Sequence, residues 1–229
     1  MPGCHGCQVP RGLLAVWLVL GLAAAASAQT TDTRIPLFVV DAHAATVGLP
    51  QAEGWVPTLP AKTILPGRNF GVAGGASVYP LRFSQVAFGA GVSIIAGSGT
   101  GETVVVTGTG STATSTVTHV VHTGITSLVP QVSINFGKKL GWSYLSAGYG
   151  KSKVTSSADA TKTAAEIIVP EAWNVAVNFG GGARWFMKPH LGAGFDVRWV
   201  KLMNRGQTDV LPSAKRTQVW NISVGISIQ

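Results

Sequence analysis

Residues 179–201, FGGGARWFMKPHLGAGFDVRWVK, alternate large apolar side chains with small or charged ones. From Leu191 to Trp199 the odd positions are apolar, while the even positions hold glycine, Asp196 and Arg198. A period of two is typical of a β-strand whose two faces meet different surroundings. Lys188-Pro189 separates this segment from the preceding one, residues 179–187, in which large residues also alternate with small or charged ones. The stretch is therefore predicted to be a β-hairpin with a turn at that pair.

The same alternation predicts eight strands in all. Three have a strongly apolar face and span 172–186, 190–200 and Trp220 to Ile228. Five weaker strands are predicted at about 35–48, 68–80, 84–97, 124–137 and 140–150. In 140–150 the apolar face is ambiguous, because Trp142 and Tyr144 share one parity while Leu145 and Tyr149 share the other. Pro130 has no backbone N–H donor, so it predicts a defect in the fourth strand along the chain, residues 124–137.

The first 28 residues are predicted to be a cleaved secretory signal peptide. Arg11 precedes an apolar run, Leu13 to Ala26, and Ala26-Ser27-Ala28 has the form of a cleavage site. Cys4 and Cys7 lie in that segment, so we expect residues 29–229 to form one exported domain without a disulfide.

Composition argues against an ordinary soluble domain. Charged residues make up 11% of the chain and apolar residues 46%, whereas about a quarter of a typical soluble domain is charged. The chain has no apolar run of about 18 residues that would form a spanning helix. The formal net charge is +8, but the basic residues are dispersed, and in an exported chain they do not favour nucleic-acid binding.

The connections between the predicted strands alternate in length. Long ones are predicted at 49–67, 98–123, 151–171 and 202–215, and short ones at 81–83, 138–139 and 187–189. A meander with long loops at one end and tight turns at the other is typical of an outer-membrane barrel. Valines flank a Thr-Gly-Thr-Gly turn within 98–123, so we expect the third and fourth strands to continue there as a twisted hairpin.

The face opposite the apolar one decides between a membrane barrel and a soluble barrel. It consists mostly of Gly, Ala, Ser and Asn, which make a poor water-facing surface but fit the narrow interior of eight strands. The backbone finds no hydrogen bonds in lipid, so a spanning sheet must close on itself. This pattern favours a transmembrane barrel over a soluble lipocalin-like binding barrel.

In these strands, and in Gly-aromatic segments such as LGAGFDVRW and VNFGGGARWF, the chain resembles the small outer-membrane β-barrel domains of the OmpA/OmpX type. The resemblance covers residues 29–229. It implies an all-β, eight-stranded antiparallel up-and-down transmembrane β-barrel in the outer membrane of a Gram-negative bacterium. It also implies contact with outer-membrane lipid and lipopolysaccharide, and assembly by the barrel-assembly machinery. Members commonly end in an aromatic residue, whereas this chain ends Ser-Ile-Gln.

Four charged residues share the inward parity: Asp41, Arg184, Asp196 and Arg198. A hairpin centred near Lys188 would place Asp196 opposite Gly180 and Arg198 opposite Asn178. The charges are predicted to form a paired network that fills the interior, since buried charges must be paired. The alternative is a gate or selectivity element in a narrow channel. An outward aromatic girdle is predicted at Trp173, Trp185, Trp199 and Trp220.

Other motifs do not support a catalytic or metal site. His119 and His122 form H-x-x-H, but three residues apart in a strand they face opposite sides, so we expect no metal. The segment GYGKS at 148–152 lacks the earlier glycine of a phosphate loop, and there is no Gly-x-Ser-x-Gly elbow. We expect no catalytic residues and no cofactor.

Three functions remain open from the sequence. The leading prediction is a plugged barrel with a structural or surface-interaction role, displaying four long extracellular loops to a ligand that the sequence does not identify. The alternative is a narrow pore for small polar or amphipathic solutes. A membrane-embedded lipid-modifying enzyme is the least favoured.

Overall fold

The computed structural model describes residues 34–52, 54–56, 63–64, 67–107, 114–159, 167–209 and 213–229. The side chains of 63–64, 103–107, 114–119 and 167 are not described. The predicted signal peptide and its cleavage site lie outside these ranges. Within them, no helix is long and apolar enough to span a membrane.

The described chain folds into β-strands. In chain order they are β1 (Phe38–Gly48), β2 (Thr63–Ile64), β3 (Arg68–Arg82), β4 (Val86–Thr107), β5 (Thr114–Lys138), β6 (Gly141–Ala158), β7 (Ile167–Phe186), β8 (Leu191–Leu202) and β9 (Thr217–Ile228).

The eight long strands close into a ring. Each of β1 and β3 to β9 pairs antiparallel with the next, and β9 returns to β1 with Val40 opposite Ile228. The short β2 adds two residues to the side of β4. The predicted eight-stranded up-and-down barrel is therefore confirmed. We call the two ends the short-turn end, where β3–β4, β5–β6 and β7–β8 connect, and the long-loop end.

Side chains alternate between the lumen and the outer surface, as the parity of the sequence predicted. Large apolar residues are exposed all round the outside, for example Phe70 at 81%, Val132 at 65% and Leu145 at 64%. The ambiguous strand β6 turns Trp142 and Tyr144 inward, where both are buried. Its outer face therefore carries Leu145 and Tyr149.

Several strands run farther toward the long-loop end than the sequence indicated. The expected twisted hairpin is present, since β4 and β5 pair as far as Thr107 opposite Thr114. The prediction that 151–171 is a loop was wrong, because β6 and β7 pair as far as Ala158 opposite Ile167. Serine and threonine there were interpreted as loop residues. The β-branched side chain of threonine also suits a strand that leaves the membrane.

Pro130 interrupts a ladder without shifting it. Toward β4 it lies opposite Val92. Toward β6, paired positions stop at Leu128 and resume at Gln131 in the same register. The missing N–H donor explains this gap, and the exposed ring faces outward.

The register predicted for the β7–β8 hairpin was wrong by two residues. Asp196 lies opposite Gly182, not Gly180, and Arg198 lies opposite Gly180, not Asn178. The turn holds four residues, 187–190, and the backbone of Lys188 bonds to that of Leu191, the first residue of β8. Because the shift is an even number of residues, every side chain keeps the face that its parity predicted.

Candidate functional site

The first part of the candidate site is an ion pair in the middle of the lumen. Arg184 on β7 donates from Nε to Asp41 Oδ1 at 2.9 Å and from Nη2 to Asp41 Oδ2 at 2.6 Å. Ser227 Oγ also donates to Asp41 Oδ1, at 2.7 Å. The side chains of Arg184 and Asp41 are only 4% and 10% exposed. This two-pronged geometry satisfies the carboxylate and fixes β7 against β1 across the lumen.

A second ion pair forms within β8. Arg198 Nε lies 2.8 Å from Asp196 Oδ1, and its Nη2 donates to Oδ2 at 2.9 Å. Two residues apart in a strand, these side chains share the inward face. Arg198 also donates to Gln131 on β5, and the Tyr144 hydroxyl donates to Asp196.

Tyr144 connects the two ion pairs. The Arg184 guanidinium lies 4.1 Å from the centre of the Tyr144 ring, while the Tyr144 hydroxyl bonds Asp196. The structure thus gathers all four charges proposed from the sequence in one layer. Tyr144 and Gln131 were missed because the inward face of β6 was ambiguous and Gln131 is uncharged.

Glycines on the inward face leave room for this layer. A Cβ on Gly182 would lie 2.9 Å from the Tyr144 hydroxyl, and one on Gly180 would lie 3.0 Å from Arg198 Cγ. A cavity of about 20 Å³ remains beside the charges, which is room for about one water molecule. The layer is therefore packed side chain against side chain.

His43 is another inward residue that the sequence reasoning did not place. Its Nδ1 lies 3.1 Å from Ser223 Oγ on β9. Its Nε2 is buried and has no hydrogen-bond partner among the described residues. The small cavity beside His43 is lined also by Asp41 and Asp196, so a water molecule there would satisfy that nitrogen.

An apolar cluster fills the lumen at the short-turn end. Trp142 stacks on Phe186 with ring centres 5.1 Å apart, and the edge of Tyr79 meets Trp142 at 6.3 Å. Ile35, Val39 and Ala87 complete the cluster. We call it the short-turn plug.

A second apolar cluster closes the long-loop end. Inward residues of seven barrel strands meet Leu49, Ala214 and Trp55 there, the strand members being Ala45, Val47, Ile95, Ile125, Val154, Ala176, Val200, Leu202 and Val219. Trp55 is 1% exposed and comes from the loop after β1. We call this cluster the long-loop plug.

Polar contacts hold Trp55 in the long-loop plug. Its indole N–H donates to the Lys215 carbonyl at 2.6 Å, and the Arg205 guanidinium lies 5.1 Å from the ring centre. Arg205 also donates to the Gly54 carbonyl at 3.0 Å, and its partial burial lowers its pKa from the ordinary value. Gly54 has a positive φ of 83° and lies against the Ser213 backbone, where a side chain would not fit.

The four tryptophans predicted to form a girdle all occupy outward positions, but at several heights along the barrel. Trp173, Trp199 and Trp220 are partly exposed toward the long-loop end, and Arg68 stacks on Trp220 with its guanidinium 3.6 Å from the ring centre. Trp185 lies near the short-turn end and stacks on Phe195 at 5.8 Å.

The H-x-x-H motif reaches the long-loop end. His122 Nε2 lies 3.2 Å from Asp159, and both side chains are about half exposed. The side chain of His119 lies outside the described set. Across the described part of the chain, no cluster of three or more His, Cys, Asp and Glu is arranged to hold a metal.

No protein-family model and no curated protein sequence matches the chain. Among solved structures it is similar to Neisserial surface protein A, with 13% identity, a TM-score of 0.43, and coverage of 84% of this chain and 97% of that one. It is also similar to the outer membrane protein OprG from Pseudomonas aeruginosa, with 12% identity, a TM-score of 0.44, and coverage of 86% of this chain and 96% of that one. A third similar structure is the outer membrane protease OmpT from Escherichia coli, with 8% identity, a TM-score of 0.45, and coverage of 71% of this chain and 64% of that one.

Proposed function

We propose that the protein is an outer-membrane β-barrel with a filled lumen, whose role is structural or depends on its extracellular surface. The observation that carries the proposal is the layering of the lumen. Two apolar plugs enclose a layer of paired charges, and the cavity left in that layer holds only about 20 Å³. A hydrated ion or solute would have to displace a plug, so we do not assign a transport function.

The outer surface supports the membrane setting. Exposed Phe, Val, Leu, Ile and Trp side chains surround the ring, and water would disfavour so large an apolar surface. Strands of about 9–11 tilted residues span a bilayer, and the shortest barrel strand, β1, has 11 residues. The predicted signal peptide would deliver the chain for insertion, with the long loops outside.

The long-loop end supplies the surface on which an interaction would depend. Strands β4 to β7 extend beyond the others there and line an open hollow of about 380 Å³. Its lining includes Ser98, Thr100, Thr155 and Ser157 beside His122. Hydroxyl groups of this kind suit a polar, hydrogen-bonding partner rather than an apolar one. This surface is accessible without any movement of the barrel.

Electrical recording in planar bilayers tests the proposal. Folded wild-type protein is expected to give no steady openings, because the apolar plugs exclude hydrated ions. Insertion of each sample is verified by heat-modifiable migration on a denaturing gel, since a folded barrel resists the detergent until boiled. Steady, reproducible single-channel openings from inserted protein would overturn the filled-lumen proposal. Recovery as a soluble protein with no heat shift would overturn the membrane setting.

A further inference from the structure

An apolar hollow of about 640 Å³ lies on the outer face of β6, β7 and β8. Its floor lies at Gly181 on β7, which has no side chain. Leu145 on β6 and Val197 on β8 lie directly opposite Gly181 on its two sides, so the three residues form one row across the strands. The stacked pair Phe179–Trp199, with centres 5.5 Å apart, forms its wall toward the long-loop end. Apart from Ser143 and backbone atoms, the lining is hydrocarbon and aromatic.

One side of that wall is open. In the row of Phe179 and Trp199, β6 carries only the methyl group of Ala147, which is exposed. A narrow apolar chain can therefore pass over Ala147 toward the long-loop end, where Tyr149 and Val177 form the next row. We call the hollow, the gap over Ala147 and the small residue Val177 above it the groove, and its upper end lies toward the rim of the barrel.

Positive charge lies at the rim end of the groove. Lys201 is in the row of Tyr149 and Val177, and Lys151 lies one outward position above Tyr149. Neither lysine has an ion pair or hydrogen bond within the part of the chain that the structure describes. Lys153, by contrast, pairs with Glu171 at 2.6 Å. Two uncompensated cations thus flank β7 where the groove ends.

We propose that this groove is a specific binding site for a phosphorylated glycolipid of the outer leaflet. The phosphate lies between Lys151 and Lys201, and one acyl chain passes over Ala147 into the hollow at Gly181. The inference deepens the proposed function and rests on it, since only a barrel in a bilayer presents this face to lipid. Charge at one end and an apolar groove at the other match the two parts of such a molecule.

The dimensions fit one acyl chain. From Lys201 to Phe195 at the bottom of the hollow is six residues, or about 20 Å along the strand at roughly 3.3 Å per residue. A strand tilt of about 40° reduces this to a depth of about 15 Å, which is half of the ~30 Å hydrocarbon core. The chain would therefore end near the bilayer centre, as it does in a free leaflet.

The site can be tested by native mass spectrometry of the folded full-length protein. Binding is measured with bis-phosphorylated lipid A and, separately, with dephosphorylated lipid A. The wild type is expected to retain one phosphorylated molecule and to bind the dephosphorylated form at least tenfold more weakly. Lys151→Gln with Lys201→Gln is expected to lower affinity about 25-fold, from about fivefold per charge near a membrane surface. The matched control, Lys138→Gln with Lys188→Gln at the short-turn end, removes the same charge and should stay within twofold.

A second pair of variants tests the groove itself. Ala147→Phe blocks the passage and is expected to lower affinity about tenfold, while Ala76→Phe, on the outer face of β3, is expected to have no effect. Equal binding of the two lipid A forms, or equal losses in test and control variants, would overturn the site. If such a result comes from protein that shows the heat shift and inserts in vesicles, the proposed function stands. Protein that does neither overturns the membrane setting, and with it the site.

Discussion

Removal of one partner from the Asp41–Arg184 pair is expected to destabilise the barrel strongly. Arg184→Met replaces the arginine with an apolar side chain of roughly the length of its aliphatic stem. The Asp41 carboxylate, 10% exposed, then loses its two charge-assisted hydrogen bonds of 2.9 and 2.6 Å. Breaking a buried pair in this way costs about 3–5 kcal/mol. Ser227 still donates to Asp41, so we expect about 3 kcal/mol, the lower end of that range.

The double variant Asp41→Leu with Arg184→Met separates pairing from packing. With both charges gone, no carboxylate is left uncompensated, and replacement of a buried pair by apolar residues is often nearly neutral. The double variant is therefore expected to recover at least about 2 kcal/mol of the loss caused by Arg184→Met. Lys188→Met, in the exposed four-residue turn, is a matched control and should stay within about 0.5 kcal/mol of the wild type.

Urea unfolding of vesicle-inserted protein, followed by tryptophan fluorescence and by the heat shift, measures these free energies. The cycle gives the coupling energy between the two residues directly. If Arg184→Met lowers the free energy of unfolding by less than about 1 kcal/mol, water must reach the Asp41 carboxylate. If the losses of Asp41→Leu and Arg184→Met simply add, the pair does not act as a unit. Either result would refute the description of the lumen as a sealed layer of paired charge.

Three further predictions concern the plugs, the outer face and the inward glycines. Trp55→Ala removes a side chain that is 1% exposed and is expected to cost about 3–5 kcal/mol in urea unfolding, yet to give no conductance, because the short-turn plug remains; steady openings would contradict this. Leu145→Arg places a charge on the lipid-facing side at mid-height and should cost about 2–4 kcal/mol, with Leu145→Ala as the control; equal losses would argue against lipid contact. Gly182→Val directs a side chain at the Phe195 carbonyl, 2.1 Å from the Cβ position, and should abolish the heat shift in refolded protein; a normal shift would contradict the observed packing.

The architecture could be predicted from the sequence because it depends on parity. A residue in a strand faces one of two directions, and the contrast between Phe195, Val197 and Trp199 on one side and Asp196 and Arg198 on the other identifies both. The same logic placed all four charged residues on the inner face. It failed in β6, where aromatic residues occur at both parities, because an aromatic ring suits a packed lumen as well as it suits lipid.

Register and closure could not be predicted in the same way. The two-residue error at the β7–β8 turn arose because Lys188-Pro189 marks a turn without fixing how many residues it contains. The long-loop plug depends on contacts between distant segments, such as the Trp55 indole with the Lys215 carbonyl, 160 residues apart. No local pattern encodes such a contact. The sequence therefore predicted a lumen filled by paired charges but not the two apolar plugs on either side of them.

The filled lumen directs the search for function to the outer surfaces. Eight strands enclose an interior just wide enough for side chains, and here Arg184, Arg198, Tyr144 and the two plugs occupy it. Any conducting path would require the loss of paired charges or of packed aromatic residues, each at a cost of several kcal/mol. Under the proposed function, an extracellular partner would meet β4 to β7 already extended beyond the barrel, and the proposed lipid would meet the hollow at Gly181 already formed. Binding on those two surfaces leaves the interior layers intact.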